Sequence, residues 1–540
     1  MTLKDGERQD KSLEQKVRRL NQIGIALSAE HDKLQLLELI LSSARELTSA
    51  DAGTLYLLDG SARSLQFALV QNDQLGLYLG GYQQPGVELF KPISLYLDNG
   101  QPNEQLVVAW SVLHKQTIRV ADAYDHSNFD FSGTRIFDQQ SGYHSRSFLT
   151  VPLVNHEGEV FAALQLINKQ SVGVVVAFSE TDQELAESLA SQAAVALTNQ
   201  RLIEEMKTLF DSFTQVLATA IDKKSPHTGN HCRRVPDATL FLAEAVSASN
   251  HPAVKDFVMS DADFYELKTA AWLHDCGKVV TPHHVMEKSR KLETVFDRIE
   301  LIATRIEILR RDLEIQQLKY PLTDEAAKTL AAEQAQLLDD LDFLRRVNVG
   351  TEFTTDADLL RIQNLAEKTW VDHKGVRQSL LSDDEKLNLS IRRGTLNPQE
   401  RQIMNDHMVA TLDMLEQLPF PKHLQRVAEY AGCHHERMDG KGYPRGLTRE
   451  QMSIPARIMG VADVFEALTA KERPYKEPMK LSQALMIMGR MVEDKHLDPD
   501  LFAVFVEARV YERYAAVHLS PEQMDAVDVS ALPGLNKESH

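Results

Sequence analysis

The sequence is poor in cysteine, in unbroken apolar stretches and in positive charge. Its 540 residues include 3 cysteines, Cys232, Cys276 and Cys433. That is too few for a disulfide scaffold and suits a reducing compartment. Each stands within two residues of a histidine, where a small side chain packs well behind a ligand. No stretch approaches the roughly 18 consecutive apolar residues of a membrane span. The opening MTLKDGERQDKSLEQKVRRL has no apolar core of signal-peptide type. No membrane insertion and a cytoplasmic location are therefore expected. Lys and Arg number 59 against 78 Asp and Glu, a formal charge of −19. A surface of that sign argues against a nucleic-acid polymer as partner. It still allows a small polyanion, because bound metal ions can dominate the local charge.

What is present is a long globular chain. Hydrophobic residues make up 43% and charged residues 25%, and the length calls for more than one domain. Residues 12 to 48 read as helical. From about 53 to 170 the pattern is strand-like: Gly53 to Gly60 is a short apolar run between turn residues, and Phe148 to Leu153 and Val160 to Ile167 flank the turn Asn155-His-Glu-Gly158. This zone is expected to be α/β with an antiparallel sheet. Residues 182 to 220 contain neither Gly nor Pro. Leu189, Ala196, Ile203, Met206, Phe210, Phe213 and Leu217 recur there at 3.5-residue spacing, which predicts a long connecting helix and a homodimer through its seam. The rest, to about 520, reads as all-helical. Within it, 295 to 395 looks like an insertion: an amphipathic run from Phe296 to Leu313 ends at Pro321, a second begins after the N-cap residue Thr323, and Thr351 to Arg393 is less regular.

The residues that carry chemistry lie far apart but are of one kind: His231, His274-Asp275, His407, His434-His435 and Asp463. Imidazoles mixed with carboxylates suit divalent iron, manganese, zinc or nickel. Leu273-His-Asp-Cys-Gly-Lys278 sets a His-Asp pair beside a glycine and a cation, after the apolar run Ala270 to Leu273. In Cys433-His-His-Glu-Arg-Met-Asp-Gly-Lys-Gly-Tyr-Pro444 two adjacent histidines precede a loop whose glycines permit close backbone approach.

These motifs resemble the signatures of the HD-GYP family. The resemblance continues through Ile454-Pro-Ala-Arg457, Ala462-Asp463 to Leu468, Arg473-Pro-Tyr-Lys476, Thr228-Gly-Asn-His231 and His407, and covers roughly 205 to 520. It implies a helical phosphodiesterase domain that hydrolyses cyclic di-GMP to pGpG and/or GMP with two divalent metal ions, iron or manganese favoured. By position it implies His231, His274, Asp275, His407, His434, His435 and Asp463 as ligands, with Asp275 bridging. Asp275 and Lys278 would be catalytic, and Lys278, Tyr443, Arg473 and Lys476 would bind substrate. His227 stands where some members carry a glutamate that supports a third metal, so two ions are expected.

Residues 15 to 200 resemble a GAF domain, through the early helix, the strand Leu55 to Leu58, Val151-Pro-Leu-Val and Ala163 to Lys169. Asn168-Lys169 with Phe178-Ser-Glu-Thr-Asp182 is similar to GAF domains that bind cyclic nucleotides, so a small molecule, a cyclic nucleotide among the candidates, is expected there. The same residues equally suit a structural hairpin end. Three functions stay open: a GAF-regulated cyclic di-GMP phosphodiesterase, a catalytically inactive cyclic dinucleotide receptor, and an HD phosphohydrolase acting on another nucleotide. The complete ligand set favours the first over the second, and Gly442-Tyr443-Pro444 favours it over the third.

Overall fold

A capped helix leads into the sheet of the N-terminal region: the Asp32 carboxylate accepts the Gln35 N–H and opens a helix that Ser49, at φ 57°, closes in the left-handed region. The next residue already belongs to a strand. The computed structural model describes residues 2–30, 32–80, 87, 90–126, 128–224, 230–319, 323–471 and 478–535, with side chains from residue 14 onward. The chain divides into two units, Met1–Leu209 and Phe210–His540.

In the first unit the order is α1 (Thr2–Ala29), α2 (Lys33–Thr48), β1 (Ala50–Leu58), β2 (Ser64–Asn72), β3 (Leu77–Leu79), β4 (Ile93–Ser94), α3 (Val107–His114), β5 (Ile118–Val120), α4 (Ser132–Ser141), β6 (Phe148–Val154), β7 (Val160–Ser171) and β8 (Val174–Val176). The strands form one antiparallel sheet in the order β3-β2-β1-β7-β6-β5, with β4 on β2 and β8 on β7. The expected β6–β7 hairpin is present, Leu149 opposite Leu166. Adjacent residues of β1 face opposite sides. Leu55 joins a core with Leu36, Ile40, Leu41 and Leu189, while Tyr56 joins a second with Leu65, Val108 and Ala163.

Helix α5 (Glu180–Lys224) is 45 residues long, near 68 Å at 1.5 Å per residue. The seam read from sequence is divided along it. Leu189 belongs to the core of the first unit and Ala196 packs against it. Phe210 and Leu217 pack against the core of the second. Val195, Leu202, Ile203, Met206, Leu209, Phe213 and Val216 are exposed.

The second unit is mostly helical: α6 (His231–Ser247), α7 (Asp261–Leu273), a 3-10 turn at Cys276–Val280, α8 (His283–Met286), α9 (Ile299–Lys319), α10 (Asp324–Val349), α11 (Asp356–Glu367), a small hairpin of β9 (Thr369–Val371) and β10 (Arg377–Ser379), α12 (Asp383–Leu389), α13 (Pro398–Asn405), α14 (His407–Glu416), α15 (Val427–Ala431), α16 (Ile454–Thr469), α17 (Leu481–Glu493), α18 (Pro499–Glu507) and α19 (Val510–His518). Thr323 caps α10 as its position suggests. The segment expected to be less regular, Thr351 to Arg393, holds two capped helices and the hairpin; capping boxes at Thr355 and Ser382 nucleate them. Together with α9 and α10 they enclose a separate core around Ile302, Ile306, Leu344, Ile362 and Leu380. No described helix is long and apolar enough to cross a membrane.

Candidate metal centre

Element ends converge on the centre. His231 opens α6, behind Asn230 at φ 74°. His274 caps the end of α7 and Asp275 follows it into the 3-10 turn. His407 opens α14, and His434 and His435 follow the end of α15. Asp463 lies within α16. Gly277 makes the meeting of the turn with α14 close enough. A Cβ there would stand 2.0 Å from the His407 carbonyl oxygen and 2.5 Å from the Thr411 nitrogen. The Gly277 N–H donates to the Thr411 hydroxyl at 2.9 Å.

Two groups of donor atoms result, His231 with His274 and Asp275, and His407 with His434 and His435; within each, all lie within 4.8 Å of one another. Asp275 faces both. Its Oδ2 is 3.4 Å from His231 Nε2 and 3.3 Å from His274 Nε2. Its Oδ1 is 3.4 Å from His407 Nε2 and 3.9 Å from His434 Nε2. Asp463 Oδ1 lies 3.2 Å from His231 Nε2 and 3.7 Å from His274 Nε2. The structure thus brings all seven expected ligands into one neighbourhood.

The far side of each ring fixes its orientation. The Nδ1 atoms of His274, His407 and His434 donate to the carbonyls of Ala271, Met404 and Ala431 at 2.7, 2.5 and 2.7 Å. That assignment leaves Nε2 as the lone-pair nitrogen aimed inward. His231 differs, since its Nδ1 meets the buried carboxylate of Glu466, which also accepts from Arg234 Nε at 2.6 Å. Burial, then the neighbouring His435 and His274, push His434 well below the ordinary histidine range. Burial brings His435 down to about 4. Both are therefore neutral, the form that ligates metals. Burial opposes the charge of Asp275, but Lys278 and His274 hold its carboxyl well below the usual range.

Asp275 Oδ1, His407 Nε2 and His434 Nε2 are buried without a hydrogen-bond partner. Buried polar atoms are rarely left so. Three inward-facing donors with nothing to accept them fit a cation, and the residues present fit a divalent metal.

The other expected residues are placed less uniformly. Lys278 pairs with Asp275. Tyr443 stacks on His435, ring centroids 4.9 Å apart. Its loop is tied down by Glu436, which accepts the N–H groups of Arg445 and Leu447 at 2.8 and 2.9 Å. A Cβ on Gly442 would come within 2.4 Å of the Arg437 nitrogen. Arg473, Lys476 and His227 lie outside the described residues. Sequence reasoning missed Glu466, whose signal was an acid three residues after Asp463 on one helix face. It also missed Lys224, at the end of α5, whose ammonium donates to the carbonyls of Lys278, Val279 and Thr281.

In the first unit, Asn168 accepts the Arg146 N–H at 2.7 Å and donates to the His144 carbonyl at 2.7 Å. Lys169 pairs with Asp182, which also accepts the Ser179 hydroxyl at 2.6 Å. Lys169 thus ties the end of β7 to the start of α5, and Asn168 ties it to the segment before β6.

Comparison with known proteins agrees with this division. Residues 32–197 match the GAF domain and residues 383–501 the HD domain. The 3'3'-cGAMP-specific phosphodiesterase 3 of Vibrio cholerae serotype O1 is 36% identical over 148 residues, covering 26% of this chain and 30% of the relative. The 3'3'-cGAMP-specific phosphodiesterase 1 of the same organism is 49% identical over 80 residues, covering 15% and 18%. The cyclic di-GMP phosphodiesterase of Thermotoga maritima is 37% identical over 117 residues, covering 22% and 31%. The chain thus spans less than a third of the length of each of these relatives. Matched families, matched relatives and geometry agree: the chain carries a GAF domain followed by an HD domain in the HD-GYP arrangement.

Proposed function

We propose that the chain is a metal-dependent phosphodiesterase that opens cyclic di-GMP to pGpG and/or GMP, under control of its GAF domain. One observation carries this reading: the two oxygens of Asp275 face separate histidine groups, the arrangement a bridging ligand between two cations requires. Divalent ions held there, iron or manganese by preference, would supply Lewis acidity to a phosphoryl oxygen and a water acidified for attack. His231, His274 and Asp463 would hold one ion, and His407, His434 and His435 the other. Lys278 sits at the Asp275 end of the cluster, where its ammonium can turn to a substrate phosphate. Tyr443, fixed against His435, offers its ring as a wall for the substrate. Arg473 and Lys476 are assigned from sequence to the remaining phosphate charge.

A second substrate has specific support, since three relatives are named for 3'3'-cGAMP. The test is full-length protein purified without oxygen, its metals counted by mass spectrometry and its products from both dinucleotides separated by chromatography. Hydrolysis of cyclic di-GMP at least tenfold faster than of 3'3'-cGAMP is expected. Bound metal with neither dinucleotide cleaved would instead support a receptor, and a metal-free folded protein would end the two-ion reading.

We also propose that the chain dimerises through the helix at 182–220. The exposed residues Val195, Asn199, Leu202, Met206, Leu209, Phe213 and Val216 alternate four and three apart. In that register Asn199 takes an a position, where a polar residue favours a parallel, in-register pair. Light scattering should report a dimer that Met206→Glu weakens at least tenfold; a wild-type monomer at high micromolar concentration would refute it.

A further inference from the structure

Three carbonyl oxygens converge at the end of the 3-10 turn Cys276–Val280, and one side chain takes all of them. The Lys224 ammonium donates to the carbonyls of Lys278 at 3.1 Å, of Val279, and of Thr281 at 2.7 Å. The last carbonyls of a helical turn have no partner within it. An ammonium has three N–H donors and no acceptor, so donors and acceptors match one to one. Lys224 has no donor left over for a phosphate.

The turn held in this way is the one that carries the chemistry. Asp275 is its first flanking residue, and the Asp275 carbonyl accepts the Lys278 N–H at 2.9 Å. The Lys278 ammonium returns to the Asp275 carboxylate. On another side the Gly277 N–H meets the Thr411 hydroxyl of α14. The turn is therefore braced from two directions, by Thr411 toward His407 and by Lys224 toward α5. The end of α5 is a firm base for the second brace. Thr214, Ala218, Ile221 and Asp222, three and four residues apart along one face, are buried. Asp222 Oδ1 accepts the Cys232 N–H beside His231 at 3.3 Å, Thr219 accepts from Arg233 at 3.0 Å, and Asp211 accepts the Tyr265 hydroxyl at 2.8 Å.

Lys224 is only half-buried, so water can take the place of its ammonium at the three carbonyls. Its loss should disturb position rather than fold. Position matters here, because a bridging carboxylate serves two ions only while both oxygens keep their directions. A misplacement of about 1 Å can lower a rate about 10²-fold. We infer that Lys224 is a positioning residue of the metal centre. By clasping the turn it sets the directions of the Asp275 carboxylate and the Lys278 ammonium, and it touches neither ion nor substrate. The turnover arm of the test rests on the phosphodiesterase reading; the metal arm does not.

The test uses the full chain loaded with Co²⁺, whose visible spectrum reports ligand geometry. In Lys224→Met the spectrum of the two-ion state should change, and affinity for the second Co²⁺ should fall about tenfold, the scale of a lost outer partner. The kcat on cyclic di-GMP should fall at least about tenfold with KM nearly unchanged, the pattern of an interaction needed only in the transition state. The metal-free protein should melt as the wild type does. Lys224→Arg, which offers N–H donors and a charge to the same carbonyls, should lose less. Lys223→Met, at the exposed neighbouring position, should lose nothing. Lys224→Gln keeps a donor without the charge and replaces the Met variant if that one does not fold. An unchanged spectrum, unchanged Co²⁺ affinity and unchanged turnover in the folded variant overturn the inference. A variant that only melts lower overturns it too, since that is a role in folding alone. Wild-type protein that binds Co²⁺ and cleaves neither dinucleotide refutes the proposed function, and the spectrum and titration then decide this inference by themselves.

Discussion

The histidine cluster of the second unit and a cavity of about 390 Å³ beside β1, β2 and β7 of the first are both assembled from residues distant in sequence, yet they treat polar atoms in opposite ways. Around Asp275 three buried donor atoms have no protein partner. Around the cavity, Gln165, Tyr143 and Asp130 have each found one. The first surface is incomplete without a cation; in the second, these three polar side chains are already spent on protein partners. An unpaired buried atom is thus a more specific pointer to a ligand than a void, because leaving it unpaired costs about 1–3 kcal/mol.

The sharpest way to break the contrast is Asp275→Ala. If its two oxygens serve two ions, metal content should fall by more than one ion's share, and turnover by at least about 10²-fold, the scale of a lost charge-stabilising contact. Mass spectrometry beside the hydrolysis assay reads both, and full metal with normal turnover would show that Asp275 bridges nothing.

Glu466→Gln is a finer probe, since it keeps the shape and removes the charge behind His231. Outer partners of this kind contribute roughly 10–100-fold in metal affinity or activity. A loss in that range is expected in a chelator titration, with the unit still folded. If metal is retained as tightly as in the wild type, Glu466 is a structural partner of Arg234 and nothing more.

A third buried environment separates charge from ligation. Lys291, just before the insertion, is fully buried against it, donating to Thr354 Oγ1 and the Leu389 and Ile391 carbonyls. Burial pushes it down from 10.5 to about 8. Between those values the unfolded chain holds the proton that the folded chain has released, so stability should rise with pH across pH 8 to 10.5. The gain should be on the order of 2 kcal/mol, and Lys291→Met should lack it. Urea unfolding at pH 7.5 and 9.5 gives the comparison; parallel curves for the two proteins would mean that the buried ammonium is no strain.

Much of the centre was legible because ligation limits residue type. His231, His274, Asp275, His407, His434, His435 and Asp463 could be picked out across more than 200 positions and do converge. Glu466 was not, because a lone acid on a helix looks like a solvated face until Phe465 and Ala462 beside it prove buried. The cavity was invisible for a different reason. Its rings, among them Tyr56, Phe67, Phe131 and Phe148, meet only when the sheet closes, and an aromatic in a strand reads first as core. Helix α5 was legible as a helix, but its seam was not. Phe210 and Leu217 share the spacing of Ile203 yet are covered by their own unit, and spacing alone does not say who covers a face. The capped helices α11 and α12 are short, and their start signals lie in Thr355 and Ser382 rather than in any apolar rhythm.

Gly277 has a consequence for inheritance. Its hydrogen occupies the space where any other residue would press a carbon against the backbone of His407 and Thr411. Every codon change that alters this amino acid adds that carbon, so the position has no conservative neighbour and no intermediate step. The separation between the halves of the centre is held by the smallest side chain in the genetic code. Descendants of this sequence can drift at many of the surrounding positions and still keep the site, but at this one they can only stay or lose the fit.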